Sequence, residues 1–498
     1  MRLSARLRSL RAVWLVPLLA TIALTTWAFA SPIGASPDDD YHLASIWCAN
    51  DARDNLCVPE TRPEYAGMHR VLEGMMSAPC FVADVEASAA CQEWVADPRP
   101  IVTTNHGNWI GAYPPVYYAS MNVFATTDIQ AAALTMRVIN VLIFIILTTA
   151  LALLLPAHLR QPLLIGWAIT IVPLSAVLIA SNNPGSWAVT GVATSWMACL
   201  GWYHTSGKRA WALGAITVIS VMMAAGARTD AAIYVIMGMG MASVLAFARS
   251  RAFALKLILP AALSVIAFIL FATSGYTQVV EHGLTGGIPG NESRNQMAVL
   301  AFNLISMPQL WTGVFGSWGL GWRMEVWPGF ALVEFATLAV FIGVASLGLR
   351  KMFPRKSWMS VALVAALYVI PLYVLTMGMS VVSENVQPRY ILPLVVVLGS
   401  LLVLTKSTPL RAGPWHVIPA IVLLSAANSV ALYTNLRRYV TGFDVEQLSL
   451  NAGAEWWWQS FPVGPDAVWL IGSLAFAATV TLLGRHWLLI SRPQRAVA

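Results

Sequence analysis

The chain has 498 residues, 58% of them apolar and only 11% charged. Soluble domains carry roughly 25% charged residues, so this composition excludes an ordinary soluble protein. Apolar runs recur at about the 20-residue length that crosses ~30 Å of hydrocarbon. The chain therefore reads as a polytopic membrane protein, and its formal charge of +7 must be placed before it can suggest a nucleic-acid partner.

In chain order, the opening MRLSARLRSLR carries four arginines and no acid, which holds it in the cytoplasm. The first span is expected at 12–31. Ala28-Phe29-Ala30 before Ser31 resembles a signal-peptidase site, but the long apolar stretch ahead of it suits a retained anchor. Either outcome leaves the next residues outside.

Those residues are SPDDDYHLASIWCAN. Asp38, Asp39 and Asp40 are adjacent carboxylates that repel, so one is expected to hold its proton tightly. The triplet suits a general base, a divalent-cation site built of oxygen ligands, or acids favouring a helix N-terminus. A helix starting here would put Asp38 and His42 on one face.

The triplet opens a long extracytoplasmic segment, 32–128, expected to form short helices and turns on the membrane surface. It holds Cys48, Cys57, Cys80 and Cys91, while Cys199 lies in a span and reads as a small buried apolar residue. Four cysteines in an oxidising compartment read as two disulfides with three possible connectivities. A zinc site is less well supported because no CxxC spacing occurs. The segment ends in TTNHGNWIGAYPPVYYASMN, with His106, Tyr113 and a proline pair before the second span.

Further spans are expected at 129–155, 162–181, 185–204, 210–227, 230–248 and 254–273. SNNPGSWAV supplies capping residues for the fourth. The segment 274–327 reads as a second outer loop with the Gly-rich GLTGGIPGNESRNQ. Spans follow at 328–349, 358–382, 389–405 and 415–433, then an outer loop at 434–464 and a last span at 465–484 with a cytoplasmic tail. The chain thus divides into 1–31, 32–128, 129–273, 274–327, 328–433, 434–464 and 465–498. WWW at 456–458 reads as an interfacial aromatic belt.

Charge tests this topology. Of the 30 Lys and Arg, 19 fall on the assigned inner side, against none of the 23 Asp and Glu. The outer surface is net acidic and the inner rims are basic, as the positive-inside rule requires, so no nucleic acid partner is expected. Ionisable residues in or beside spans are Arg137, Arg228, Asp230, Glu334, Glu384 and Arg389. Such charges pair or line a polar cavity. A guanidinium at the outer interface, Arg389 above all, suits a phosphate. No Walker, HExxH, GxSxG or Rossmann signature occurs.

PDDDYH, SNNPGSW, GARTD, VFGSWGLGW and QPRYILPL occur in this order. Together they resemble the bacterial membrane proteins grouped as domain-of-unknown-function family 2142, over roughly residues 12 to 405. The resemblance implies a GT-C glycosyltransferase: an all-α polytopic bundle of about 12 transmembrane helices with a large first extracytoplasmic loop. It implies a bacterial plasma-membrane enzyme that takes a sugar from a polyprenyl-phosphate carrier and delivers it to an extracytoplasmic glycan or protein acceptor. Asp38 falls at the catalytic aspartate of that superfamily, Asp39 at the acid that follows, and His42 at a histidine. Asp39 stands for a usual Glu, Asp40 for a proline and Leu43 for an aromatic. Tyr113-Pro114-Pro115 resembles a proline pair before a later span.

On this reading Asp38 is the base, with Asp39 and His42 beside it. Arg389 and then Arg228 hold the donor phosphate, with Asp40, His106 and Tyr113 in further substrate contacts. No cofactor is required; a divalent cation is compatible. Membrane lipid is the surrounding partner. The reading demands that the acidic triplet and Arg389, far apart in the chain, meet in one hollow at the outer rim. The alternatives are a flippase or transporter of a lipid-linked glycan using the same cavity, and a structural membrane protein whose outer loop binds a partner.

Overall fold

The computed structural model describes residues 2–50, 56–76, 80–82, 84–93, 101–275, 293–316, 329–384, 386–406, 408–458 and 461–491, the side chains before Trp14 excepted. The stretches GLTGGIPGNE (283–292) and SWGLGW (317–322) and the side chains of MRLSARLRSLR fall outside them. Among the described residues, nine helices are long and apolar enough to cross a membrane, so the chain is a multi-pass membrane protein.

The helices are α1 (Arg2–Phe29), α2 (Asp39–Trp47), α3 (Val116–Asn122), α4 (Ile129–Leu154), α5 (Ala157–Thr170), α6 (Pro173–Ile179), α7 (Gly185–His204), α8 (Gly207–Ala227), α9 (Thr229–Ala246) and α10 (Arg251–Thr273). After these come α11 (Gln296–Phe315), α12 (Phe330–Leu349), α13 (Pro354–Met377), α14 (Pro388–Val403), α15 (Pro414–Val440) and α16 (Pro465–Ser491). Their starts follow local chemistry. Asp128 accepts from the N–H of Ala131, Ser250 from Phe253, and Asn295 from Met297 and Ala298, each satisfying an otherwise orphaned donor. Proline opens α6, α13, α14 and α15, where its missing N–H costs nothing. Helix α7 is the central post, buried from Gly185 to Trp202.

Three expectations about the spans need correction. The span expected at 162–181 is two helices, α5 and α6, bent by 101°. Pro173 lacks the N–H that would continue α5, and the Ser175 hydroxyl donates to the freed Thr170 carbonyl at 2.6 Å. Helix α11 occupies part of the expected 274–327 loop. Asn303 donates to Ser380 O and accepts from Val382 N, both at 2.9 Å, while Thr337 Oγ1 donates to Phe315 O at 2.5 Å. Both ends of α11 are thus tied near the segments that join α13 to α14 and open α12. Helix α15 runs past the expected end at 433 and carries Arg437 and Arg438 into the interior, 2% and 0% exposed.

The chain is mostly helical, as expected, but the 32–128 segment holds more than the short helices and turns expected of it. It contains a three-stranded antiparallel sheet, β1 (Cys57–Pro59), β2 (His69–Leu72) and β3 (Ile101–Thr104), in the order β1-β2-β3. Val71 lies opposite Cys57 and Val102. Disulfides join Cys48 to Cys57 and Cys80 to Cys91, which fixes the connectivity and rules out zinc at these thiols; Cys199 is buried and free. The first bond staples the end of α2 to β1.

The second closes a loop that docks on α15. The Arg438 guanidinium donates to the carbonyls of Phe81, Asp84 (2.9 Å) and Ala87 (2.7 Å). At Gly442 the backbone is left-handed (φ 85°), and a Cβ there would lie 1.7 Å from Glu86 O, so only glycine lets the loop approach. Trp456 and Trp458 are buried, 5% and 4% exposed, rather than facing lipid in a belt. Trp458 Nε1 donates to Phe29 O at 2.7 Å, and Phe461 stacks on Phe29. They close the end of α1 because its last carbonyls need donors.

Candidate functional site

The site forms where α1 ends and α2 begins, at the rim carrying the 32–128 segment. Asp38 sits at the N-cap position of α2, yet its side chain makes no capping bond. Its φ of 59° is left-handed, a conformation that Asp tolerates better than most residues. The turn is braced by Asn183, whose Nδ2 donates to Pro37 O at 3.0 Å and whose Oδ1 accepts from Gly185 N at 2.7 Å. Freed from capping, the Asp38 carboxylate accepts from Arg389 Nη2 at 2.7 Å. The carboxylate is 50% exposed and the guanidinium 4%. One partner is open to solvent and the other is held in the protein wall.

Arg389 lies in the first turn of α14, behind Pro388. It also donates to Gln387 Oε1 and, at 3.3 Å, to the Tyr390 hydroxyl, and its buried Nε has no partner. Tyr390 lies between two guanidiniums: Arg389 is 5.0 Å and Arg228 4.6 Å from its ring centre, distances suited to cation–π attraction. Arg228 reaches Tyr113 at 5.6 Å and grips Asp230 through two bonds of 2.9 and 2.8 Å. Its pairing with Asp230 is a two-bond fork, partly buried, rather than a loose surface pair.

The acidic triplet does not act as one cluster. Asp39 is 1% exposed and points beneath α2, where Oδ2 accepts from Gly34 N at 3.1 Å and lies 3.5 Å from Arg137 Nη2. Burial pushes Asp39 up to about 6, opposed by Arg137 and the N–H groups of Gly34 and Ser36. The raised value thus comes chiefly from lost water rather than from acidic neighbours. Arg137 also donates to Ala28 O (3.1 Å), Ser31 O (2.6 Å) and Pro32 O (3.1 Å), locking the chain's exit from α1. Asp40 points outward and meets His106 at 3.2 Å, both about half exposed. Among the described residues no group of three His, Cys, Asp or Glu could hold a metal ion. The three carboxylates, compatible in sequence with a base, a cation site or a helix cap, are each turned to a different partner.

His42 is fully buried. Its Nδ1 lies 2.9 Å from the Tyr118 hydroxyl, and Nε2 has no partner. Burial is the main cause that pushes it down to about 3, so it is neutral at physiological pH. Tyr41 and Tyr113 meet its ring edge-on. Burial, then Asp38, pushes the Tyr41 phenol up to about 12. Asn108 accepts from Tyr113 N at 2.8 Å and donates to Tyr113 O at 2.9 Å, which fixes Tyr113 against the site.

The structure therefore links Asp38, Arg389, Tyr390, Arg228 and Tyr113 in one chain of contacts, sets His42 against Tyr113, and joins Asp40 to His106 beside Tyr41. Asp39 is buried and stands outside these contacts. Sequence reasoning missed Tyr390, Tyr118, Asn108 and Asp39's partner Arg137 as site-builders. It read Asn183 as a cap alone, although SNNPGSW and QPRYILPL already contained the signal for Asn183 and Tyr390.

The pH dependence has a definite sign. The folded chain keeps His42 neutral down to about 3, whereas the unfolded chain protonates it near the ordinary 6.5. Between these values the unfolded state binds more protons, so stability falls on acidification. Asp39 acts oppositely: the fold retains its proton up to about 6 and the unfolded chain releases it near 3.8. Its contribution is present at low pH and is lost as pH rises through that window. Thermal unfolding in detergent should show a smaller acid-side loss for His42→Gln and a larger one for Asp39→Asn. Equal pH slopes in all three proteins would contradict this assignment.

A protein-family profile described as "Predicted membrane protein (DUF2142)" matches residues 21–398. No curated protein and no solved structure matches the chain.

Proposed function

We propose that this chain, which belongs to the DUF2142 family of predicted membrane proteins, is a glycosyltransferase of the GT-C kind. It moves a sugar from a polyprenyl-phosphate donor to an acceptor outside the cell. The supporting observation is the 2.7 Å pair between half-exposed Asp38 and walled-in Arg389. The rim that bears it faces outward in a bacterial plasma membrane, because the basic residues gather at the opposite ends of the spans.

The donor's chain stays in the bilayer while its phosphate and sugar reach the rim. The arriving phosphate competes with Asp38 for Arg389, and the unpartnered Nε completes a two-pronged grip. Asp38, released from the pair, takes the proton of the acceptor hydroxyl. The acceptor oxygen bonds to the anomeric carbon as the carbon–oxygen bond to phosphate breaks. Polyprenyl phosphate leaves with the electron pair, stabilised by Arg389. A single displacement inverts the anomeric configuration. Arg228, already gripped by Asp230, adds positive potential and holds Tyr113 and Tyr390 as walls. Asp40 and His106 meet the acceptor at the edge, and neutral His42 with Tyr118 positions α2.

Arg389→Ala is expected to weaken binding of polyprenyl phosphate about 10- to 100-fold, the range for a lost charged hydrogen bond. Acceptor binding should change little. An unchanged donor affinity, read by lipid competition in nanodiscs, rejects the role of Arg389.

A second reading draws on the bent pair α5–α6, since broken helices mark many transporters. A flippase for a lipid-linked glycan would move its cargo with Asp38 neutralised. Carrier translocation without sugar transfer in proteoliposomes would favour it.

A further inference from the structure

Two apolar grooves flank α5 and α16. The larger, about 450 Å³, lies between α1, α4, α5 and α16. The smaller, about 270 Å³, lies between α5, α12, α15 and α16. They share one wall, made by Arg160, Leu164 and Ala168 of α5 with Val480, Leu483 and His486 of α16. That wall is apolar except at its rim end, where Arg160 and His486 sit. No acidic side chain lines either groove.

Arg160 is only partly satisfied. Its Nη2 donates to Leu155 O at 3.2 Å, but its Nε is shielded from solvent and has no partner. An N–H of a permanent cation left unpaired beside apolar walls calls for an acceptor. Negative charge is the complement that this end of the wall selects.

We propose that the grooves hold the two acyl chains of one anionic phospholipid, whose phosphate rests between Arg160 and His486. Two grooves that converge on a single cationic end match a lipid with two tails and one phosphate. A single-chain polyprenyl phosphate would fill one groove and leave the other empty. The lipid straddles the wall of α5 and α16, and thereby steadies α5 below its bend. This inference is independent of the glycosyltransferase reading.

The test uses the full chain, purified and stripped of lipid in detergent. Phosphatidylglycerol, phosphatidylcholine and glycerol phosphate are added separately. Phosphatidylglycerol should raise the melting temperature and remain bound in native mass spectrometry, with about tenfold tighter apparent binding than phosphatidylcholine. Glycerol phosphate alone should do neither. The double variant Arg160→Gln/His486→Gln should bind the two phospholipids equally. Ala168→Trp, which fills the shared wall while leaving Arg160 and His486 in place, should reduce retention of both, and it carries the test if the double variant does not fold. The proposal is overturned if wild type binds both phospholipids equally, if glycerol phosphate reproduces the shift, or if Ala168→Trp retains lipid like wild type.

Discussion

Asp38→Asn is expected to lower the rate of sugar transfer by about 10²- to 10⁴-fold, the usual worth of a positioned general base. Asn has the same shape and its carbonyl oxygen can still accept from Arg389, so the contact should keep its form. It cannot take a proton. The substitution also removes the charge that competes with the donor phosphate for Arg389, now paired to Asp38 at 2.7 Å. Donor affinity should therefore hold or tighten while turnover collapses. That split separates a base from a merely structural acid, whose loss would weaken binding and yield as well. Initial rates against donor concentration in proteoliposomes measure it. Full turnover in Asp38→Asn would place the base elsewhere.

Arg137→Ala should be the most damaging single change to the fold. It strands the Asp39 carboxylate, 1% exposed, and leaves the carbonyls of Ala28, Ser31 and Pro32 without their donor. Removing one partner of a buried pair costs about 3–5 kcal/mol. The penalty should shrink at low pH, where Asp39 is protonated, and Asp39→Asn should relieve part of it. The two sites then fail to add in a double-mutant cycle. Thermal unfolding and membrane yield are the readouts. A melting temperature equal to wild type would show that the turn after α1 does not depend on this pair.

Helices such as α4 and α7 were legible because their apolar runs are bounded by polar punctuation: Asp128 before one, SNNPG and HTSGK around the other. The break at Pro173 was not, because the apolar run continues through it and composition does not register a bend. Helix α11 was hidden by its own polar side chains. Asn303 reads as loop, yet it serves the 380–382 turn across the bundle. The sheet went unseen because three- and four-residue strands carry no periodicity. In the site, acids and cations at one rim pointed to Asp38 and Arg389 together. What adjacency in sequence could not separate was Asp38 from Asp39. That distinction depends on a left-handed turn at Asp38 and on Arg137 in another helix.

Sugar transfer through Asp38 would leave its mark on the glycans of the cell surface. The most direct measurement compares surface glycans by mass spectrometry in three strains: deletion, deletion restored with wild type, and deletion restored with Asp38→Asn at equal protein level. One sugar should be lost on deletion, returned by wild type and still missing with Asp38→Asn. Glycans identical in all three strains, or full return with Asp38→Asn, would contradict it.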